Sequence, residues 1–192
     1  MRKRMPAMAG ALALIGCAAL AVAQTPPAPP KPGPEVKKLG AFVGKWTSEG
    51  EMKPGPMGPG GKVTGTDSCE WISGGFGVMC RENGSMPGAA KMVAMGMMGY
   101  DSESKMYTYH EIDSMGEVVT SQGKVDRDTW TWESDSKVNG QTMHTKYTMK
   151  FTSKDAYDYK FEMGPNENSM SLIMEGTEKR AMTMPPSPPK KN

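Results

Sequence analysis

The chain has 192 residues, with 23 basic and 21 acidic side chains and a formal net charge of +2. This length fits a single domain, and because residues 24–192 have no basic patch beyond Lys190-Lys191, they give no electrostatic basis for nucleic-acid binding. Methionine is abundant, at 20 residues, and the question is whether its sulfur serves packing, ligand binding or a metal.

Residues 1–23 have the pattern of an export signal. Arg2–Arg4 are basic, Met5–Leu20 form an apolar run rich in alanine, and small residues lead up to Ala23. We therefore predict cleavage between Ala23 and Gln24 and a location in the bacterial periplasm or outside the cell. The apolar run is shorter than the roughly 20 residues that a spanning helix needs, so we expect a cleaved signal and not a membrane anchor. After its removal we expect no membrane span.

An alternative processing site lies within the same segment. Leu14–Cys17 resembles a lipobox, which would make the protein a lipoprotein anchored through Cys17. The apolar run continues past Cys17 to Ala23, and this favours ordinary cleavage. Removing residues 1–23 takes away three of the 23 basic residues and none of the 21 acidic ones, leaving a formal charge of −1.

The remaining chain divides into a domain and two proline-rich segments. Residues 24–35 predict a disordered linker and residues 182–192 a disordered tail rich in proline and lysine. Between them, residues 36–181 alternate short apolar segments with turn sequences such as SGGF, YDSES and GPNEN. Only Pro34–Phe42 resembles a helical turn. Repeated hairpins predict an antiparallel meander that forms a barrel or a sandwich.

The Asn139-Gly140 dipeptide is the strongest hairpin signal, because a type I′ turn needs positive φ at both central residues. A two-residue loop there pairs Trp132 with Tyr147 and Trp130 with Met149. One face of this ribbon is then aromatic and sulfur-rich, and the other is polar, as a strand pair with one buried face requires.

Cys69 and Cys80 are the only cysteines left after signal removal. In an oxidising compartment an even count predicts a disulfide. A loop at Gly74-Gly75 places the two cysteines directly opposite each other, within bonding range. A redox dithiol or a metal-binding pair is the alternative, but the spacing is not C-x-x-C and no histidine is near in sequence.

Several short motifs together resemble a known family. The Gly-x-Trp at Gly44–Trp46, within LGAFVGKW, is the motif that opens the first strand of lipocalin-like barrels. The motifs that follow it resemble, in order and spacing, the bacterial family called domain of unknown function 1579: WISGGF at Trp71–Phe76, GYD at Gly99–Asp101, IDSMG at Ile112–Gly116 and TSQG at Thr120–Gly123.

This resemblance implies an all-β fold, a calycin-like antiparallel meander barrel of about eight to ten strands with a short N-terminal helical turn. In lipocalin-like barrels the motif's tryptophan packs over the closed end beneath a basic side chain from the last strand. The resemblance therefore implies that Trp46 and Arg180 close the barrel. An aromatic residue expected shortly before Ile112 is replaced by His110-Glu111, and the family carries no established activity.

The segment Lys91–Tyr100, KMVAMGMMGY, contains four methionines. On a strand, Met95 and Met97 share one face while Met92 and Met98 share the other. Core packing, the lining of an apolar cavity and soft-metal binding are all open for these thioethers. The sequence leaves undetermined which pair faces inward.

The strand Lys105–Asp113 has two plausible inner faces as well. If His110 faces inward, it could bind a ligand, a metal or haem iron; otherwise it is a hydrogen-bonded wall residue. The chain has no catalytic motif, so an enzyme using a carboxylate such as Glu111 is only a third possibility. We expect no cofactor.

Our leading hypothesis is an exported, non-enzymatic barrel that binds a small, mostly apolar molecule. The alternative is a periplasmic, methionine-rich copper protein using Met95, Met97 and His110. The candidate ligand-binding residues are Trp130, Trp132, Tyr147, Met149, Met95, Met97 and His110.

Overall fold

The computed structural model describes residues 30–181 except Pro56, Ala90 and Asn139. The predicted signal with its cleavage site, the lipidation alternative at Cys17, the first half of the linker (residues 24–29) and the tail lie outside these residues. Ten strands follow a short helical segment: β1 (Gly44–Met52), β2 (Gly61–Trp71), β3 (Val78–Ser85), β4 (Met92–Asp101), β5 (Met106–Asp113), β6 (Val118–Asp126), β7 (Thr129–Val138), β8 (Gln141–Ser153), β9 (Ala156–Gly164) and β10 (Ser171–Arg180).

The strands form one closed antiparallel barrel. Each pairs with its neighbours in sequence, and β1 pairs with β10 to complete the ring. Closure leaves no sheet edge exposed, which removes the open pairing groups that an edge strand would present. The predicted all-β meander barrel is confirmed.

The helical segment covers one end of the barrel. Helix α1 (Pro34–Lys38) continues into a 3₁₀ turn (Leu39–Ala41). Leu39 and Phe42 are buried in the core, and the Tyr107 hydroxyl donates to the Glu35 carbonyl oxygen at 3.1 Å. The helix thus includes the last two residues of the predicted linker. Within the described residues, no helix has the length and apolar character needed to cross a membrane.

Both predicted hairpin registers are present. Trp132 lies opposite Tyr147, and Trp130 lies opposite Met149. Cys69 lies opposite Cys80, and the two form a disulfide with a Cα–Cα distance of 4.0 Å.

The loop between the cysteines is longer than predicted. Strand β2 ends at Trp71 and strand β3 begins at Val78. Within the loop between them, the Ile72 amide still donates to the Gly77 carbonyl at 2.9 Å. The turn itself is closed by a bond from the Gly75 amide to the Ile72 carbonyl at 2.8 Å. The two-residue loop that was predicted and the six-residue loop that is present give the same register because both are centred on Gly74-Gly75.

At the closed end of the barrel, the Arg180 side chain stacks on the Trp46 ring. The Arg180 guanidinium lies 4.2 Å from the Trp46 ring centroid, a distance at which an aromatic face attracts a cation. It also donates to the Val43 carbonyl, while the Trp46 indole N–H donates to the Phe42 carbonyl at 2.7 Å. Gly44 has φ 137°, and a Cβ there would lie 2.2 Å from the guanidinium. The Gly-x-Trp motif therefore provides both the ring and the room above it.

Three predicted ligand-binding residues lie on the outer face. Met95 and Met97 are 43% and 50% exposed, whereas Met98, one position on, is 9% exposed. His110 is exposed, and its Nδ1 lies 3.2 Å from Thr120 Oγ1. The inner face of β4 carries the other methionine pair, Met92 and Met98. Between them on this face lie Ala94 and Gly96, whose small size leaves room for large side chains from neighbouring strands.

Candidate functional site

The interior of the barrel is hollow above the closed end. A cavity of about 390 Å³ has Phe42 and Trp46 at its floor and is lined by side chains of the surrounding strands. A smaller hollow of about 140 Å³ adjoins it and shares several lining residues, among them Tyr147 and Met174. The larger volume falls in the range of roughly 300 to 1,000 Å³ that small-molecule sites occupy.

Aromatic and thioether side chains form most of the cavity wall. Trp132, Tyr147 and Phe161 contribute rings, and Met149 packs beside them. Toward the open end of the barrel, where the loops after β1 and β3 lie, the wall consists largely of thioethers: Met57, Met86, Met92 and Met174. Methionine suits such a mouth because its unbranched side chain adapts to ligands of different shape.

Four carboxyl groups line the same cavity, and we call them the inner carboxyl cluster: Asp67, Glu82, Glu111 and Glu178. Asp67 on β2 lies directly opposite Glu82 on β3. Each is two residues from a disulfide cysteine, and side chains two apart on a strand share a face. The disulfide therefore fixes both carboxyls on the inner face.

Tyr109 joins two members of the cluster. Its hydroxyl contacts Glu82 Oε1 at 2.7 Å and also Glu111 Oε2. It reaches both because a Cβ on Gly96 would lie 2.5 Å from the tyrosine hydroxyl, so only glycine leaves the space. A phenol has one proton to donate, and the second contact is a hydrogen bond only if a carboxyl carries a proton.

Glu178 is the most buried of the four carboxyls. The residue is 4% exposed, and its Oε1 has no hydrogen-bond partner among the described residues. A hydrogen bond links its carboxyl to Asp67, and such a bond again needs a proton on one partner. Leaving a buried charged oxygen without a partner is costly, by several kcal/mol for an ion.

Burial raises the pKa of every member of the cluster. It raises the pKa of Asp67 to about 9, helped by the hydrogen bond and charge of Glu178, and the pKa of Glu82 to about 8, helped by the charges of Glu111 and Asp67. Burial also raises the pKa of Glu111 and Glu178, although hydrogen bonds from Tyr109 and from Asp67 act in the opposite direction. At neutral pH these carboxyl groups therefore retain protons.

Among the described residues that line the two hollows there is no lysine, arginine or histidine, so no basic side chain in the lining offsets the charge of these carboxyls. Nor do the described residues contain a group of three or more histidine, cysteine, aspartate or glutamate side chains placed to hold a metal ion. The interior is thus apolar in most of its area and acidic in one part.

The structure brings together some of the predicted ligand-binding residues. Trp132, Tyr147 and Met149 line the cavity. Trp130 is buried, 4.9 Å from Phe42 between ring centroids, and belongs to the packed closed end. The candidates Met95, Met97 and His110 were wrong as lining residues, because each points away from the interior.

Sequence reasoning considered only Glu111 as a cavity carboxylate and missed the other three members of the inner carboxyl cluster. Aspartate and glutamate are rarely buried, so strand positions that carry them are normally assigned to solvent. The positions of the two disulfide cysteines could have identified two of these buried carboxyls. Cysteine is among the residue types most often buried, which favours the inner face for this facing pair, and the two-residue period then places Asp67 and Glu82 inside as well.

The comparisons with known proteins agree with the barrel. A structure described as Rv2717c from M. tuberculosis matches with a TM-score of 0.54 and 11% identity, over 79% of this chain and 100% of that one. A redesigned β-barrel matches with a TM-score of 0.41 and 10% identity, over 75% of this chain and 95% of that one. At such identity the first likeness shows the fold alone. No curated protein matches the chain.

The family comparison is more specific. The profile described as "Protein of unknown function (DUF1579)" matches residues 31–180. That range runs from just before α1 to the last residue of β10, so it includes the closed end, the cavity and the inner carboxyl cluster. The chain belongs to the DUF1579 family of proteins of unknown function.

Proposed function

We propose that this protein binds a small, mostly apolar molecule inside the barrel. The observation that carries the proposal is the cavity of about 390 Å³ above the Trp46 floor, with aromatic walls and a mouth rich in methionine. Lipocalin-like barrels that are filled by their own side chains leave no such space, and a cavity of this size accommodates one small ligand.

The apolar lining supplies the affinity. Burying apolar surface contributes roughly 25 cal/mol per Å², so a ligand that buries most of its surface against Trp132, Tyr147 and Phe161 gains several kcal/mol. Part of that gain offsets the loss of ligand freedom on binding. We expect dissociation constants on the order of micromolar for ligands that fill the cavity.

Tryptophan fluorescence tests the proposal. Trp132 lines the cavity, whereas Trp71 is 38% exposed and lies away from it. Titration with a panel of apolar compounds should give saturable quenching that is clearly weaker in Trp132→Phe, where only Trp46 at the floor still reports from the cavity wall, and is unchanged in Trp71→Phe. Quenching that never saturates, or that persists unchanged without Trp132, contradicts binding in the cavity.

We further propose that the protein acts outside the cytoplasm. The basic and apolar pattern of residues 1–23 supports export. The Cys69–Cys80 disulfide supports it too, because disulfides persist in oxidising compartments. Cell fractionation with N-terminal sequencing should recover a periplasmic or secreted chain that begins at Gln24, and a cytoplasmic chain that retains Met1 would contradict export.

A second candidate function rests on one row of outer side chains. Met97 lies opposite Met79 on one side and opposite His110 on the other, so these residues align across β3, β4 and β5. Neighbouring positions in antiparallel strands are about 4.5 to 5.5 Å apart at Cα. Two thioethers and an imidazole are ligands that Cu(I) accepts. The row replaces the predicted set, since Met95 lies two residues away, where its sulfur contacts Arg81 at 3.9 Å.

Anaerobic Cu(I) competition titration separates the two candidate functions. If the row binds copper, Met79→Leu and Met97→Leu each lower the affinity at least about tenfold, as expected when one of three ligands is lost. Met95→Leu is the matched control and should leave the affinity unchanged. An equal loss in Met95→Leu, or no Cu(I) binding by the unmodified protein, removes the copper function.

A further inference from the structure

The inner carboxyl cluster is unexpected in a cavity that serves purely apolar ligands. Four carboxyl groups occupy one part of the lining without a basic side chain among the described lining residues. An apolar ligand would leave them dehydrated and unpaired, and uncompensated buried charge is strongly destabilising. Some group must therefore balance the carboxyls, either their own protons or a cation.

Glu178 shows where such a cation would be held. Its residue is 4% exposed, it lines both hollows, and its Oε1 lacks a partner among the described residues. Asp67 is linked to it by a hydrogen bond, and Glu82 lies directly opposite Asp67 across the strand pair. Three carboxyls from three strands thus converge where the two hollows meet.

We propose that the ligand is an amphipathic amine, whose ammonium group binds the inner carboxyl cluster while its apolar chain lies against the aromatic and thioether walls. This inference rests on the proposed function and names the chemistry of its ligand. Hydrogen bonds between an ammonium and carboxylates are charge-assisted and about twice as strong as neutral ones. Nearby ring faces such as that of Tyr147 also attract a cation.

Binding of the amine changes the protonation of the cluster. Without the amine, shared protons hold the contacts between Asp67 and Glu178 and around Tyr109. An ammonium group brings its own donors and positive charge, so the carboxylate form becomes favourable and the cluster releases a proton to solvent. The amine keeps all of its protons, and no covalent bond forms or breaks.

Three probes with one chain length isolate the head group. Decylamine, 1-decanol and decanoate each have ten carbon atoms in an unbranched chain and carry positive, zero and negative charge at pH 7. Calorimetric titration below micelle-forming concentrations should show decylamine binding at least about tenfold more tightly than 1-decanol, since its hydrogen bonds to the carboxylates are charge-assisted. Decanoate should bind most weakly. Repeating the decylamine titration in buffers of different ionisation enthalpy should reveal release of a proton.

Two variants with a matched control test the role of the cluster. Glu178→Gln preserves the side-chain shape and should reduce the preference for decylamine over 1-decanol to less than about threefold, because the charged hydrogen bond is lost. Glu82→Gln gives a second test should the first variant fail to fold. Glu70→Gln changes an exposed carboxyl on β2 and should leave the preference intact.

The possible outcomes separate this inference from the proposed function. If 1-decanol or decanoate binds as tightly as decylamine, or if the preference survives in both Glu178→Gln and Glu82→Gln, the amine is wrong while apolar ligand binding stands. If none of the three probes binds, the proposed function fails and takes this inference with it. Preferential decylamine binding that depends on the cluster supports both.

Discussion

Two charged residues of β10, Arg180 and Glu178, lie two positions apart, and their surroundings differ. Arg180 covers the Trp46 ring, donates to Asp155 Oδ1 at 3.0 Å and to the Ala41 carbonyl at 3.3 Å. Glu178 is more deeply buried and leaves one oxygen without a partner among the described residues. The closed end thus satisfies its charge internally, whereas the hollow half does not.

The closed end and the hollow half of the barrel contribute differently to the properties of the protein. At the closed end, aromatic rings pack edge to face, with the Trp46 and Phe151 centroids 6.3 Å apart at 79°. Such pairs add roughly 0.5 to 1.5 kcal/mol beyond burial. The hollow half also contains ring pairs, such as Tyr147 and Tyr159 with centroids 5.7 Å apart, but these rings border open space and a Glu178 oxygen that has no partner among the described residues. We therefore expect stability to depend most on the closed end and sensitivity to pH to arise in the hollow.

The largest effect should come from Trp46→Ala. Trp46 is 2% exposed and supports Arg180, so its removal should lower the free energy of unfolding by about 3 to 5 kcal/mol, as for other buried aromatics. Urea denaturation measures this value. The control is Trp71→Ala, at a residue 38% exposed, with an expected loss below about 1 kcal/mol. Equal losses would show that the burial of Trp46 beneath Arg180 adds no stability beyond that of an exposed tryptophan at the same end of the barrel.

The second effect is a loss of stability as pH rises in the absence of ligand. Carboxyls with raised pKa hold protons in the folded state that the unfolded chain releases near pH 4, so this stability is present below pH 4 and is lost as pH rises through 8 to 9. The slope is about 1.4 kcal/mol per pH unit for each retained proton. Unfolding in urea at a series of pH values measures it.

The ionisable groups around Glu178 come from several strands, and all of those that surround it are acids or phenols. Arg180 shares its strand, but the guanidinium is engaged at the closed end. Glu178→Gln should reduce the slope, and a slope unchanged in this variant would contradict the role of the cluster. The surrounding groups are Asp67 on β2, Glu82 on β3, Tyr147 on β8, and Tyr157 and Tyr159 on β9.

A smaller effect is expected from Gly96→Ala. The added Cβ would lie 2.5 Å from the Tyr109 ring, so the ring must move away from Glu82 and Glu111 at a cost of about 1 to 3 kcal/mol. Gly84→Ala is the matched control on β3, because its Cβ would meet only the end of Met92, at 3.5 Å. Thermal unfolding compares the two variants. Similar melting temperatures would mean that Tyr109 is not held by the space at Gly96.

The smallest effect distinguishes the outer from the inner methionines. Met97→Gln, at a residue 50% exposed, should change stability by less than about 0.5 kcal/mol. Met98→Gln buries an amide at a residue 9% exposed and should cost about 1 to 3 kcal/mol. Urea denaturation of both variants measures the difference, and the reverse order would overturn the assignment of the two faces.

Local signals were enough to predict the barrel and two of its hairpins. The Asn139-Gly140 turn fixed the pairing of Trp132 with Tyr147, since a two-residue loop permits one register. Composition could not assign the faces of β4, because methionine is tolerated on either side and the strand offers no polar contrast. Here the inner face was decided by the ring of Tyr109, which needs the space above Gly96.

The cavity lining was predicted only where aromatic residues marked it. Trp132 and Tyr147 were identified from one hairpin because apolar rings favour the interior. The carboxyls were not, because the factors that retain them are nonlocal: Asp67 meets Glu178 from a strand more than a hundred residues away in the chain. Such a partner depends on closure of the ring, and no window of sequence contains both.

The seam between β1 and β10 also has a kinetic consequence. The bond from Arg180 to the Val43 carbonyl joins residues 137 positions apart, and contacts so distant in the chain form slowly because a long loop must close first. Until β10 arrives, β1 and β9 each present an unpaired edge on which other chains can aggregate. Completion of the seam should therefore be the slow step of folding, and chaperones or ligands that act before it will determine the yield of native protein.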